Sequence, residues 1–280
     1  MSAVILSAAS PRLPALGRLV ELVRAELLRT GEPEARVFEL STLPLAYCQG
    51  EFDCWVTTPG SCRAHDAEQD IVQAIHDADR LVLVDAVTFG GHSSVLKLAQ
   101  DRLICLLSPF FEKRAALTHH GARYAHPAAF FALGWMPRPD AEQARTWVAL
   151  ADGNAVNLQA PRVGAAVVDD TDPAAWPATV AAMLASLELP GSGLDSRAPL
   201  REALLEAARP GTWTATPAPT RTAAILVGSA KTKGTSVSEN LARALAARLQ
   251  RGGIESQLHF AVEFIRDGAP ALAAAKAIAD

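Results

Sequence analysis

Four cysteines in 280 residues, unevenly spaced, are too few and too irregular for a disulfide framework, and they are expected as reduced thiols. Charge of one sign is not in surplus either. The formal net charge is −4 at pH 7 and no basic cluster is interleaved with aromatics, so neither nucleic acid nor an anionic membrane is an expected partner. Long apolar runs are also missing. No stretch reaches the roughly 18 to 20 apolar residues that a membrane helix needs. Met1 to Leu6 has neither the basic segment nor the apolar length of a secretion signal, so a cytoplasmic location is expected. What remains is a moderately charged chain, half of it apolar, long enough for one large domain or two small ones.

That apolar half is arranged as short strands alternating with amphipathic helices. Leu81-Val82-Leu83-Val84, closed by Asp85, reads as a strand buried on both faces of a parallel sheet. It empties through Gly90-Gly91 onto a helix predicted from Ser94 to Leu107, which Ser93 and Ser94 can cap. A strand that ends in such a turn at a helix N-terminus is where open α/β sheets hold ligands. Around it the pattern predicts strands at Ala3–Ser7, Glu34–Leu40, Pro127–Leu133 and Arg162–Val168. Helices are predicted at Ala15–Thr30, Asp66–Asp77, Asp140–Ala151 and Pro173–Leu187, the last with Asp172 as its N-cap. This α/β unit is complete by residue 189. Residues 190–221, dense in proline and glycine, read as a linker enclosing one short helix, Pro199–Ala208. From Thr222 the strand and helix pattern begins again and runs to residue 280, with only two strands and two helices.

Val87-Thr88-Phe89-Gly90-Gly91-His92-Ser93-Ser94, followed by Leu96-Lys97 and Asp101-Arg102, resembles the flavin-ring loop and helix of the NAD(P)H-dependent FMN reductase and multimeric flavodoxin family. Ala86 replaces the proline usual there, and His92 an aromatic or methionine. Ser10-Pro11-Arg12, with Gly17 beyond it, partly resembles the family's phosphate loop, although Leu13-Pro14 stands where small hydroxyl residues are common. Cys54-Trp55 to Pro59-Gly60-Ser61-Cys62, after Cys48, resembles a family loop that in some members ligates an iron-sulfur cluster. Glu51 here takes one cysteine's place, so the expectation is a reduced loop that packs Trp55, with no metal assigned. His119-His120 to Tyr124 and His126 resembles a family insertion and is expected as a polar loop. Gly134, beside Trp135, is a candidate second wall of the ring pocket.

The resemblance implies a flavodoxin-like doubly wound five-stranded parallel sheet, followed by a partial second copy of the fold. That second copy carries a fuller phosphate loop in Ser229, Lys231, Gly234, Thr235 and Ser236. FMN is the implied cofactor and NAD(P)H the co-substrate, with electrons passed to a flavin, quinone or similar small acceptor and a homo-oligomer possible. Ser10, Arg12 and Gly17 are expected to face phosphate, and Thr88, Phe89, Gly90, Gly91, His92 and Ser93 the flavin ring. No catalytic acid, base or nucleophile is implied, because the cofactor carries the reaction. The rival reading is an electron-carrier module without nicotinamide chemistry, or a fold that has lost its flavin.

Overall fold

Strands that are apolar on both faces need helices on both sides, and the first part of the chain builds that arrangement. In the computed structural model the elements run β1 (Ala3–Ser7), α1 (Pro14–Arg29), β2 (Ala35–Glu39), α2 (Asp53–Val56), α3 (Glu68–His76), β3 (Arg80–Ala86) and α4 (Ser94–Gln100). They continue as β4 (Leu107–Arg114), β5 (Leu117–Ala122), β6 (Ala129–Met136), α5 (Ala141–Asn157), β7 (Val163–Asp169) and α6 (Trp176–Leu184). The structure describes residues 2–32, 35–114, 117–186, 222–228 and 236–261. Five parallel strands form the main sheet in the order β2-β1-β3-β6-β7, as a flavodoxin-like fold requires.

Alternation along each strand sorts the side chains into two cores. Ile5, Val82, Val84, Phe131 and Leu133 face α1 and α6, whereas Val4, Leu6, Leu81, Leu83 and Phe130 face α3, α4 and α5. On α1 the buried stripe is Leu16, Leu19, Val20, Val23 and Leu27, the helical spacing seen in the sequence. The helix α5 runs through Gly153 and ends six residues later than predicted, because Trp147, Ala151 and Ala155 lock one face of it into the core. Asp140 caps it, its carboxylate accepting the amides of Glu142 and Gln143.

Two expectations are corrected between residues 94 and 126. The helix predicted to reach Leu107 stops at Gln100, and a short 3₁₀ turn at Leu103–Leu106 leads into an antiparallel hairpin, β4 with β5. The first half of the histidine-rich stretch, His119 to Ala122, belongs to strand β5 of that hairpin, whereas Arg123 to His126 is loop as expected. His120 is sandwiched between Trp55, 4.6 Å away, and Phe111, 4.3 Å away, so aromatic packing holds the hairpin against α2. The helix ends where it does because Arg102 is drawn inward. Only 1% exposed, it donates to Asp66 at 2.6 Å and to the carbonyl of Ala46.

The chain divides into two units, Met1–Arg209 and Pro210–Asp280. In the second, β8 (Thr222–Val227), α7 (Val237–Arg251) and β9 (Glu255–Phe260) form a parallel βαβ unit cored by Val227, Ala242 and Phe260. The predicted linker helix at Pro199–Ala208 and the final helix at Ala269–Ala279 lie outside the described residues. Among the described residues no helix is long and apolar enough to cross a membrane.

Beside Arg102 lies a carboxyl that the fold isolates. Glu68 is fully buried and neither carboxyl oxygen has a hydrogen-bond partner. Burial pushes it up to about 8, against the pull of Arg102. Asp66 behaves oppositely: burial raises it, but the Arg102 guanidinium and the amides of Ala46 and Glu68 outweigh that and hold it below its ordinary value. A carboxyl raised by folding favours the native state while it stays protonated, so its contribution is present below the unfolded value near 4.5 and is lost as pH climbs toward 8. We therefore expect urea melts of the native chain to lose stability between pH 5 and pH 8, with a clearly shallower loss in Glu68→Gln. Equal slopes in the two proteins would refute the assignment.

Candidate active site at the carboxyl edge

Because β1, β3 and β6 are adjacent and parallel, the loops that follow them emerge at one edge of the sheet. The loop after β1 is tied to the central strand by the Ala8 amide, which donates to the Val84 carbonyl at 3.0 Å. Ser10 and Leu13 then close a tight turn. The helix α1 opens at Pro14 with Leu13 as N-cap, and no side chain caps it. Arg12 is exposed at this mouth, Gly17 lies one turn inside the helix with open space where a Cβ would stand, and the Arg18 guanidinium rests over the Trp176 ring at 5.0 Å.

The loop after β3 is held at both ends by one carboxylate. Asp85, fully buried, accepts the Ala86 amide at 2.8 Å through Oδ1 and the Ser93 amide at 2.7 Å through Oδ2. Between these anchors Thr88 and Gly91 exchange backbone hydrogen bonds of 2.9 and 2.8 Å around Phe89 and Gly90. Both central residues have left-handed backbones, φ +51° at Phe89 and +78° at Gly90. The Phe89 side chain stands 94% exposed at the tip. Gly90 faces the protein: its amide donates to Gln143 Oε1 at 3.2 Å, and a Cβ there would lie 2.7 Å from Thr146 Cβ. Glycine is needed at this position for both its torsion and its closeness to α5.

Thr88, Phe89, Gly90 and Gly91 are thus brought to the edge, near the turn that carries Ser10 and Arg12. Three other predicted ring contacts are placed differently. The His92 side chain turns inward, 3% exposed, with its ring edge-on to Trp147 and Nε2 at 3.2 Å from Asn154 Nδ2. Beneath the loop its Nδ1 lies 3.6 Å from Asp85 Oδ2. Both polar groups of Ser93 are committed, the amide to Asp85 and the hydroxyl to capping α4 through the Leu96 amide. At Gly134 the space of a side chain is filled by Val87 and Trp147, so this glycine lets the loop pack down on β6. In the second unit Ser236 is the N-cap residue of α7, whereas Ser229, Lys231, Gly234 and Thr235 lie outside the described residues.

Sequence reasoning did not single out Gln143, Thr146 and Trp147, which carry no motif and enter only because α5 packs under the loop. Asp85 was visible as the charge that ends the central apolar run. The cysteine loop is fastened elsewhere: Trp55 Nε1 donates to the Ile104 carbonyl at 3.0 Å. All four cysteines are free, and burial pushes the thiols of Cys54 and Cys105 up, the latter to about 12. Among the described residues no group of three or more His, Cys, Asp or Glu side chains is placed to hold a metal.

The edge fits FMN on its own observations. An uncapped helix start beside a hydroxyl and an arginine suits a phosphate, and the adjoining clamped turn presents backbone and an outward aromatic tip to a flat ring. Comparison with known proteins agrees. The family profile described as NADPH-dependent FMN reductase matches residues 1–142, half of the chain and the half that contains both loops. A search of curated proteins gave no match. Among solved structures, an NAD(P)H:quinone oxidoreductase from Methanothermobacter marburgensis superposes with a TM-score of 0.50 at 14% identity, over 65% of this chain and 96% of that one. An apo NADH:FMN oxidoreductase gives 0.44 at 15% identity, over 68% and 92% of the two chains. RosB holding 8-demethyl-8-formylriboflavin-5'-phosphate gives 0.46 at 17% identity, over 85% and 96%. The first of these likenesses concerns the fold, and the profile carries the family: the chain belongs to the NADPH-dependent FMN reductase family, flavin-dependent oxidoreductases that use FMN with NAD(P)H as electron donor.

Proposed function

We propose that the protein passes electrons from NAD(P)H through FMN to a small flavin, quinone or similar acceptor at the carboxyl edge of its main sheet. The observation that supports this most is the Asp85-anchored turn, which sets Thr88 to Gly91 at the same edge as the open start of α1. In this reading Ser10, Arg12 and the amides of Ala15 and Gly17 bind the phosphate, since Pro14 has no N–H and the Leu16 amide donates to the Leu13 carbonyl, while the backbone of Thr88, Gly90 and Gly91 and the Phe89 ring bound the ring site. His92, Ser93 and Gly134 shape the ring loop from beneath. Bound FMN supplies the hydride-accepting and electron-donating ring. The protein orients it, shields one side from water and requires no proton-transferring side chain of its own. Residues 222–280 serve as a partial second copy in this proposal. A cytoplasmic setting, where NAD(P)H is available, matches it.

Titration of the purified chain with FMN, followed by absorbance in the flavin bands, should saturate at one FMN per chain. NAD(P)H oxidation should then depend on added FMN or a small quinone. Binding without turnover would indicate an electron carrier, and neither binding nor turnover would end the flavin reading. Gly90→Ala forces a Cβ onto Thr146 at a left-handed backbone position, so FMN affinity should fall at least about tenfold, with a stability loss of about 1–3 kcal/mol. Asp85→Ala removes the acceptor for two loop amides. It should cost about 2–4 kcal/mol in urea melts and weaken FMN binding in parallel. An Asp85→Ala protein with unchanged FMN affinity would show that the clamp does not shape the ring site.

A further inference from the structure

In the bend after β3, Thr88 and Gly91 spend their amides and carbonyls on each other, which leaves the Phe89–Gly90 peptide at the tip. Its N–H points down to Gln143 Oε1, 3.2 Å away. Because the peptide is planar and trans, the Phe89 carbonyl points the opposite way, off α5 and into the open edge. Two features hold it so. The hairpin turn in which this peptide is reversed takes glycine at its first central position, where this chain has Phe89. The second is Gln143, whose carboxamide has one orientation. Its Nε2 donates to Asp140 Oδ2 at 2.9 Å, and a carboxylate only accepts, so Oε1 is the atom left for the Gly90 amide. As the third residue of α5, a glutamine here commonly accepts the amide of the N-cap residue, but this one serves the loop instead.

We propose that Phe89 and Gln143 together lock this peptide with its carbonyl turned to the ring site, where it favours the reduced form of bound FMN over the oxidised form. The assignment rests on the flavin reading above. The ring nitrogen that takes the hydride from NAD(P)H, leaving NAD(P)⁺, accepts hydrogen bonds before reduction and donates one afterwards. A fixed carbonyl therefore matches the reduced ring, whereas an amide turned outward matches the oxidised one. Gln143 is a positioning residue in this scheme, and Asp140 acts through it.

The test is the two-electron midpoint potential of FMN bound to the full chain, read by dye-referenced reductive titration, together with the affinity for oxidised FMN. Phe89→Gly and Phe89→Ala both remove the ring, but only glycine permits the reversed peptide. With Gln143 intact the two should agree within about threefold in the ratio of reduced to oxidised affinity. With Gln143→Leu added, the Phe89→Gly protein should fall about tenfold below the Phe89→Ala protein in that ratio, about 30 mV in potential. Asp140→Asn in place of Gln143→Leu should give a smaller shift of the same sign. If Gln143→Leu does not fold, Gln143→Met makes the same comparison. Equal potentials for glycine and alanine in the Gln143→Leu background, a rise in place of a fall, or the full fall with Gln143 intact would each overturn the proposal. Loss of affinity for both redox forms alike would reduce Gln143 to a structural support and overturn it too. A native chain that binds no FMN ends the flavin reading and this assignment with it, whereas intact binding with an unmoved potential overturns only the peptide lock.

Discussion

A single carboxylate at the end of the central strand sets the geometry on which the edge of this protein depends. Asp85 has no access to solvent, and its two oxygens accept the amides on either side of the bend that follows. A buried charge of this kind is tolerable only when it is hydrogen-bonded on both sides, so the bend is held to one shape by the cost of releasing either amide. Phe89, a non-glycine residue with a left-handed backbone, is the strained member of the turn, whereas Gly90 adopts its torsion without steric cost. Gln143 and Thr146 of α5 support it from below.

The same constraint explains why His92 contributes differently from an aromatic residue at that place. An imidazole has polar atoms that a buried carboxylate and a carboxamide attract, and the edge-on contact with Trp147 fits its ring. It therefore ties the ring loop to α5. Elsewhere too, side chains that suggest chemistry in isolation are consumed by packing. His120 is a spacer between two aromatic rings, Cys105 a small core residue, and Arg102 an anchor between the 3₁₀ turn and the loop that carries Asp66.

Family membership comes from the first half of the chain, where both edge loops lie. Within it the turn after β1 is lean in hydroxyl groups, with Ser10 and the exposed Arg12 beside the uncapped start of α1. The helix of the βαβ unit in residues 222–260 has Ser236 at its N-cap, where α1 has Leu13.

The linear chain alone determined the five parallel strands, the two-sided core and the place of the glycine bend, because strand alternation and helical stripes are local patterns whose period follows from backbone geometry. It also determined the family, since Thr88 to Ser93 and the helix behind them are contiguous. Only the tertiary structure decided which side chains of that bend face outward, because His92 and Ser93 are placed by Asp85, Trp147 and Asn154, partners that no local pattern pairs with them. The hairpin was hidden for the same reason. Its strands alternate poorly, and what stabilises them is Trp55, some 65 positions from His120 along the chain yet stacked on its ring.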